Sequence, residues 1–111
     1  MLDTIKSSTE ISHLFHEGRR VSTPDVTLLY IRNEKQHGLN GRVAFIAGKK
    51  LGNAVWRNRA KRRMRALCND LNGPFPGYDT VFLARRSVTE ANYEKMLSNL
   101  EKALAKEKIL Q

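Results

Sequence analysis

The stretch from Ala54 to Leu71 constrains the fold more than any other part of the chain, because its apolar residues recur at helical spacing. At about 100° per residue they fall within one arc of about 80°, and every arginine and lysine of the stretch lies outside that arc. The arc consists of Trp56, Ala60, Met64, Leu67 and Leu71. The sequence therefore predicts an amphipathic helix that docks on a core through this arc and is capped by Asn53.

Shorter helices and strands are predicted on both sides of that helix. Ser7-Ser8-Thr9-Glu10 matches a capping box and Gly18 suits a C-terminal cap, which predicts a first helix. β-branched, apolar and aromatic runs predict strands at 26–32, 42–47 and 80–84, the first two joined as a hairpin through a polar loop at 33–41. Thr89 is expected to cap a last helix. The order is α-β-β-α-β-α, and the fold class is α+β.

The outward side of the long helix is strongly basic. Between Arg57 and Arg65, six of nine residues are arginine or lysine, and no acidic residue occurs between Gln36 and Asn69. Like charges four apart on a helix repel, so a partner is expected to supply the compensating negative charge. The net charge of +9 for the whole chain also favours a polyanion.

Nucleic acid suits this surface better than a membrane does. Arginine grips phosphate bidentately and stacks on bases, whereas an interfacial membrane helix would expose the apolar arc that the core needs here. The glycine-flanked connection 48–53 brings Lys49 and Lys50 to the helix start, where unpaired N–H groups attract phosphate. Taken alone, the charge run is equally compatible with a solvated helix face, and the connection with a plain turn. The outward face comprises Arg57, Asn58, Lys61, Arg62 and Arg65, with Arg59 and Arg63 at its opposite edge.

The run KKLGNAVWRNRAKRRMR resembles the signature of the bacterial ribonuclease P protein component, KK-x-GNAV-x-RNR-x-KR, from Lys49 to Arg62. The similarity extends more weakly through STPDVTLLYIRN, RVAFIAGKK and YDTVFLARR. The resemblance implies one ribonuclease P protein domain over residues 1–111, which joins a catalytic RNA and helps to remove the 5′ leader of precursor tRNA. It also implies a small α/β sandwich like that of ribosomal proteins and elongation factor G domain IV. Its β-α-β crossover would be left-handed, whereas the general rule predicts the right hand.

The resemblance assigns roles to individual residues as well. The 5′ leader would lie in a cleft between the first helix and the sheet, with Ile11, Phe15 and, more weakly, Tyr30 as candidates. Phe15 is equally compatible with a packing role. The chain departs from the family in lacking a basic cluster in its first residues and in having Ile11 where an aromatic is common. Contacts with the RNA subunit are implied for Lys49, Lys50, Asn53, Arg57, Asn58, Arg59, Lys61 and Arg62, and Arg65 joins them from its place on the outward face.

No catalytic or metal-binding set is predicted for the protein itself. His13 and His16 lack an accompanying carboxylate or cysteine cluster and are expected on the surface. Cys68, the single cysteine, is expected in the core, and its solitude fits a reducing cytoplasm. Magnesium would be held by RNA in the assembled enzyme, where one copy of the protein is expected. No signal peptide or membrane span is predicted.

Three other classes of protein share part of this pattern. A ribosomal-type RNA-binding protein would match the charge and size but not the contiguous motif. In a helix-turn-helix DNA-binding protein the recognition helix would follow another helix, whereas here a strand precedes it. An independent nuclease would need a catalytic histidine or carboxylate pair, which the sequence does not offer.

Overall fold

The computed structural model describes residues 4–32 and 41–109, and within them it shows an α+β fold with a four-stranded sheet. The predicted order α-β-β-α-β-α is confirmed, and one strand and one short 3-10 helix are present in addition. The elements are α1 (Ser8–Glu17), β1 (Arg19–Ser22), β2 (Val26–Arg32), β3 (Arg42–Ile46), α2 (Ala54–Asp70), β4 (Tyr78–Ala84), the 3-10 helix (Arg86–Thr89) and α3 (Tyr93–Lys106).

The strand order in the sheet is β1-β2-β4-β3. The predicted hairpin between β2 and β3 is wrong, because β4 lies between them, antiparallel to β2 and parallel to β3. β2 instead forms its hairpin with β1, in a register from Arg19↔Tyr30 to Ser22↔Thr27. α2 connects the parallel neighbours β3 and β4, and the left hand of that crossover stays a prediction. Most of the predicted loop, residues 33–40, lies outside the described residues.

The start of the last helix also differs from the prediction. Thr89 ends the 3-10 helix rather than capping α3. Asn92 is the cap, and its side-chain oxygen accepts a hydrogen bond from the backbone N–H of Lys95 at 2.9 Å. Asparagine and threonine both suit an N-cap, so residue type alone does not decide between Asn92 and Thr89. The Ser87 C=O accepts from the N–H groups of Glu90 and Ala91, and because of this tight turn the helix begins only after Asn92.

Side chains alternate between the two faces of the sheet, and each face has its own apolar cluster. On one face α2 and α3 cover the larger cluster, where Met64 and Leu100 pack with Phe82 of β4. On the other face Leu14 of α1 packs with Leu29 and Val81 in a much smaller cluster. α1 therefore covers only part of its face of the sheet.

Candidate nucleic-acid interface

The orientation predicted for α2 is confirmed. Ala60, Met64 and Leu67 are each 0% exposed, and Trp56 is half-buried against the same core. The basic side chains consequently lie on the outward side of the helix. Of the predicted RNA-binding residues on α2, the exposed ones are Asn58, Arg59, Arg62 and Arg65, and the half-buried ones are Arg57 and Lys61.

The first turn of α2 is locked to the connection that precedes it. The Asn53 side-chain oxygen accepts from the backbone N–H of Trp56 at 2.9 Å. A Cβ on Gly52 would lie 2.7 Å from Cγ of Trp56, so only glycine lets the indole pack this closely. Lys49 and Lys50, both exposed, are thereby held beside the N-terminus of α2, whose first turn contains no acidic residue. This geometry places two cations where free N–H groups already favour an anion.

The arginines of α2 divide into those that hold the fold and those that face solvent. Nη1 of Arg63 donates to the backbone carbonyls of Val88 and Ala91, each at 2.9 Å. Its guanidinium also lies 5.8 Å from the ring centroid of Tyr93. By contrast, the side chains of Arg59 and Arg62 make no hydrogen bond or ion pair in the part of the chain that the structure describes. Arg63 therefore anchors α2, and Arg59 and Arg62 are available to a partner.

Two further arginines extend the basic surface, and the sequence-based prediction missed them. Because β3 and β4 are parallel, the residues that follow them meet at the same end of the sheet. Lys49 and Lys50 follow β3, and the exposed Arg85 and Arg86 follow β4. Nη1 of Arg85 donates to the Thr23 carbonyl at 3.3 Å. The paired arginines at the end of YDTVFLARR were the available signal, but only the parallel pairing brings them near the lysines.

Partly exposed apolar side chains lie on α1 and on the face of the sheet that α1 covers. Leu14 is 1% exposed and faces the sheet, whereas Phe15 is 38% exposed. Ile11 is half-buried against the smaller cluster, as are Ile46 and Leu83, which are paired across β3 and β4. Four residues apart, Ile11 and Phe15 lie on one side of the helix. We call the surface formed by Ile11, Phe15, Ile46 and Leu83 the α1 groove.

Tyr30 does not belong to the α1 groove. The expectation that it lines the cleft between the first helix and the sheet is therefore wrong. Along β2, Leu29 packs on the α1 face and Tyr30 on the opposite face, against the core below α2 and α3. Its hydroxyl donates to the Glu107 carboxylate at 2.6 Å, and its ring meets Tyr78 edge-on at 5.7 Å. Burial, with this hydrogen bond, raises the pKa of Tyr30 to about 12. Tyr30 ties the end of α3 to the sheet.

The remaining candidates carry no visible chemistry of their own. Among residues 4–32 and 41–109, no three histidine, cysteine, aspartate or glutamate side chains are grouped to hold a metal. His13 and His16 are exposed, as predicted. Cys68 is fully buried, as predicted, and burial raises the pKa of its thiol to about 12, which keeps it neutral. No helix in the described ranges is long and apolar enough to cross a membrane.

Comparisons with known proteins agree with the motif. The family model described as Ribonuclease P matches residues 2–108. The ribonuclease P protein component of Streptococcus mutans is 36% identical over 108 residues, which cover 96% of this chain and 87% of the relative. That of Natranaerobius thermophilus is 36% identical over 111 residues, which cover 97% of this chain and 92% of the relative.

Solved structures show the same fold. The ribonuclease P protein of Staphylococcus aureus superposes with a TM-score of 0.80 at 22% identity, over 100% of both chains. The protein of Thermotoga maritima gives a TM-score of 0.77 at 19% identity, over 94% of this chain and 96% of that one. Because the family model matches almost the whole of this chain, the chain belongs to the ribonuclease P protein family.

Proposed function

We propose that this protein binds the RNA subunit of ribonuclease P and the 5′ leader of precursor tRNA, and so assists removal of the leader. One observation carries the proposal beyond family membership. The buried arc of α2 leaves its exposed cations on one outward surface, and the sequence from Gln36 to Asn69 places no carboxylate among them. Such a surface matches a phosphate backbone in charge and in donor geometry.

The RNA subunit would contact the outward side of α2 and the connection before it. Arg59 and Arg62 supply planar forks for phosphate oxygens. Asn58, one helical turn before Arg62, is exposed and can both donate and accept. Lys49 and Lys50 extend the contact to the N-terminus of α2. Asn53 and Arg57 contribute mainly by shaping that end, since the first caps the helix and the second donates to the Gly52 carbonyl at 3.3 Å. Arg65 sits over the Phe45 ring at 5.6 Å, at the edge nearest β3.

The leader of the precursor would occupy the α1 groove. An aromatic ring such as that of Phe15 can stack on an unpaired base for about 1–3 kcal/mol with little demand on its identity. An enzyme that processes many leaders needs this tolerance. Four cations follow the ends of β3 and β4, just after the groove residues Ile46 and Leu83, and they could neutralise leader phosphates there. They are Lys49, Lys50, Arg85 and Arg86.

The chemical step is proposed to belong to the RNA subunit. Within residues 4–32 and 41–109, no three histidine, cysteine, aspartate or glutamate side chains are grouped to hold a metal, and His13 and His16 form no ion pair with a carboxylate there. Magnesium held by the RNA would supply the Lewis-acid chemistry of the hydrolysis, and no residue of the protein is assigned to hold it. In this proposal one copy of the protein binds and orients the substrate in a cytoplasmic complex.

Reconstitution tests the proposal directly. The protein would be mixed with a bacterial ribonuclease P RNA at a magnesium concentration too low for the RNA to act well alone, and cleavage of a precursor tRNA would be measured. We expect faster cleavage at the natural 5′ end. RNA binding without any stimulation of cleavage would instead favour a ribosomal-type RNA-binding protein.

A matched pair of variants keeps that experiment specific. Arg62→Ala removes one exposed cation from α2, and Lys102→Ala removes one exposed cation from α3. The proposal predicts that Arg62→Ala lowers the stimulation at subsaturating protein and that Lys102→Ala does not. Equal effects of the two variants would indicate a response to net charge alone.

A further inference from the structure

A half-buried arginine links α1 to the sheet. Arg42 of β3 lies opposite Asp79 of β4, and its Nε and Nη2 donate to the two carboxylate oxygens of Asp79 at 3.1 Å and 2.7 Å. The same guanidinium reaches α1, where Nη1 donates to Oε1 of Glu10 at 3.4 Å and Nη2 pairs with Oε2. The Arg42 side chain is 12% exposed. Both neighbouring carboxylates raise the pKa of Arg42, so it remains charged.

α1 is attached to the sheet mainly by apolar packing and by its two ends. Leu14 is its one fully buried residue. The chain before the helix is fixed by a hydrogen bond from Ile5 N–H to Val43 C=O at 2.9 Å, and the chain after it runs directly into β1. These attachments hold the two ends of α1. Between them, the direction of its side chains is set by Leu14, by the half-buried Ile11 and by the Glu10–Arg42 pair, which is the polar contact among the three.

The helix geometry relates this ion pair to the α1 groove. With Leu14 facing the sheet, Glu10 lies on one side of α1, and Ile11 and Phe15 lie on the other. A rotation that released Glu10 from Arg42 would therefore change the height at which Phe15 stands above the groove. Because Arg42 is held by Asp79 within the sheet, it gives Glu10 a fixed anchor.

We infer that Glu10 and Arg42 are positioning residues for the leader: their ion pair fixes the rotation of α1 and so presents Ile11 and Phe15 to the single strand. The inference rests on the proposed function, because it assumes that the α1 groove receives the leader. Neither residue needs to touch RNA.

The sign of the effect separates positioning from electrostatics. Glu10→Gln removes a negative charge close to the path of a polyanion, and simple electrostatics predicts tighter binding of RNA. Loss of a positioning contact predicts weaker binding of the leader. Glu17 offers a matched control, since it is an exposed carboxylate seven residues further along, on the same side of α1 as Glu10.

The experiment compares Glu10→Gln and Glu17→Gln in the reconstituted enzyme, with the fold checked by circular dichroism. For Glu10→Gln we expect the KM for precursor tRNA to rise by about threefold, the size of effect typical of a partly exposed ion pair. The kcat and the affinity for mature tRNA, which has no leader, should not change. For Glu17→Gln the KM should be unchanged or lower.

A third variant tests the same contact from the sheet. Arg42→Lys keeps the charge but loses the planar fork, so it should raise the KM for the precursor like Glu10→Gln. Because both changes break one contact, the double variant should not add their effects. Two results would overturn this inference while leaving the proposed function intact. One is a KM for Glu10→Gln that equals the KM for Glu17→Gln, and the other is an equal loss of affinity for precursor and for mature tRNA. A wild-type protein that gives no stimulation of cleavage would overturn the proposed function as well.

Discussion

At the scale of single residues, the basic motif mixes side chains that face solvent with side chains that build the fold. Gly52 and Trp56 pack on each other, and Arg63 holds two carbonyls beyond β4, while Arg59 and Arg62 face outward. The buried arc of α2 could be predicted because helical periodicity is a local signal. The role of Arg63 could not, because its acceptors Val88 and Ala91 are 25 and 28 residues away in the sequence.

Met64 gives the simplest test of how α2 is oriented. It is 0% exposed in the larger cluster, so Met64→Ala would remove buried apolar volume and leave a cavity. We expect the free energy of unfolding to fall by about 2–5 kcal/mol, measured by urea denaturation. An unchanged stability would mean that α2 turns another side to the core, and the assignment of its outward residues would then fail.

Tyr30 links stability to pH. Its pKa is about 12 in the folded protein against an ordinary value of 10.0, so folding favours the neutral hydroxyl that donates to Glu107. The stability that this group contributes is complete below its unfolded pKa and is lost as pH rises through its folded pKa. The free energy of unfolding, measured with urea at a series of alkaline pH values, should therefore fall more steeply with pH for wild type than for Tyr30→Phe. Parallel curves would contradict the assignment of that hydrogen bond.

At the scale of helices and strands, the predicted elements were found where local signals were strong. Ser7 and Asn53 cap α1 and α2, so these residues predicted where the two helices begin, and the apolar run at 26–32 predicted the bounds of β2. β1 was not predicted because RRVS is short and has a single apolar residue. Short, charged strands of this kind are typical of sheet edges. The position of Tyr30 was missed because it depends on which face of β2 receives α1, and that is decided by packing.

Phe15 tests the role of α1 as one wall of a binding groove. At 38% exposure it is open to a ligand yet belongs to a helix held by Leu14. Phe15→Ala should weaken binding of precursor tRNA to the assembled enzyme by about 1–3 kcal/mol, the stacking energy of one base. Affinity for mature tRNA, measured by competition, should not change. Equal loss for both ligands, or an unfolded variant by circular dichroism, would make Phe15 a packing residue.

At the scale of the whole molecule, strand pairing decides where charge accumulates. The segment from Gln36 to Asn69 contains no acidic residue, but it is the parallel pairing of β3 with β4 that adds Arg85 and Arg86 to the same end. That pairing joins strands separated by α2, and no local pattern in either strand specifies it. The sequence thus predicted a basic surface around α2, whereas its extension required the sheet topology.

The salt dependence of binding to ribonuclease P RNA tests the central claim, that the outward side of α2 binds phosphates. Affinity would be measured over a range of salt concentrations for wild type, Arg62→Ala and Lys102→Ala. We predict weaker binding for Arg62→Ala and a slope of log affinity against log salt that is lower by about one, since one phosphate contact is lost. Lys102→Ala should keep the wild-type slope. An unchanged slope for Arg62→Ala would contradict the account.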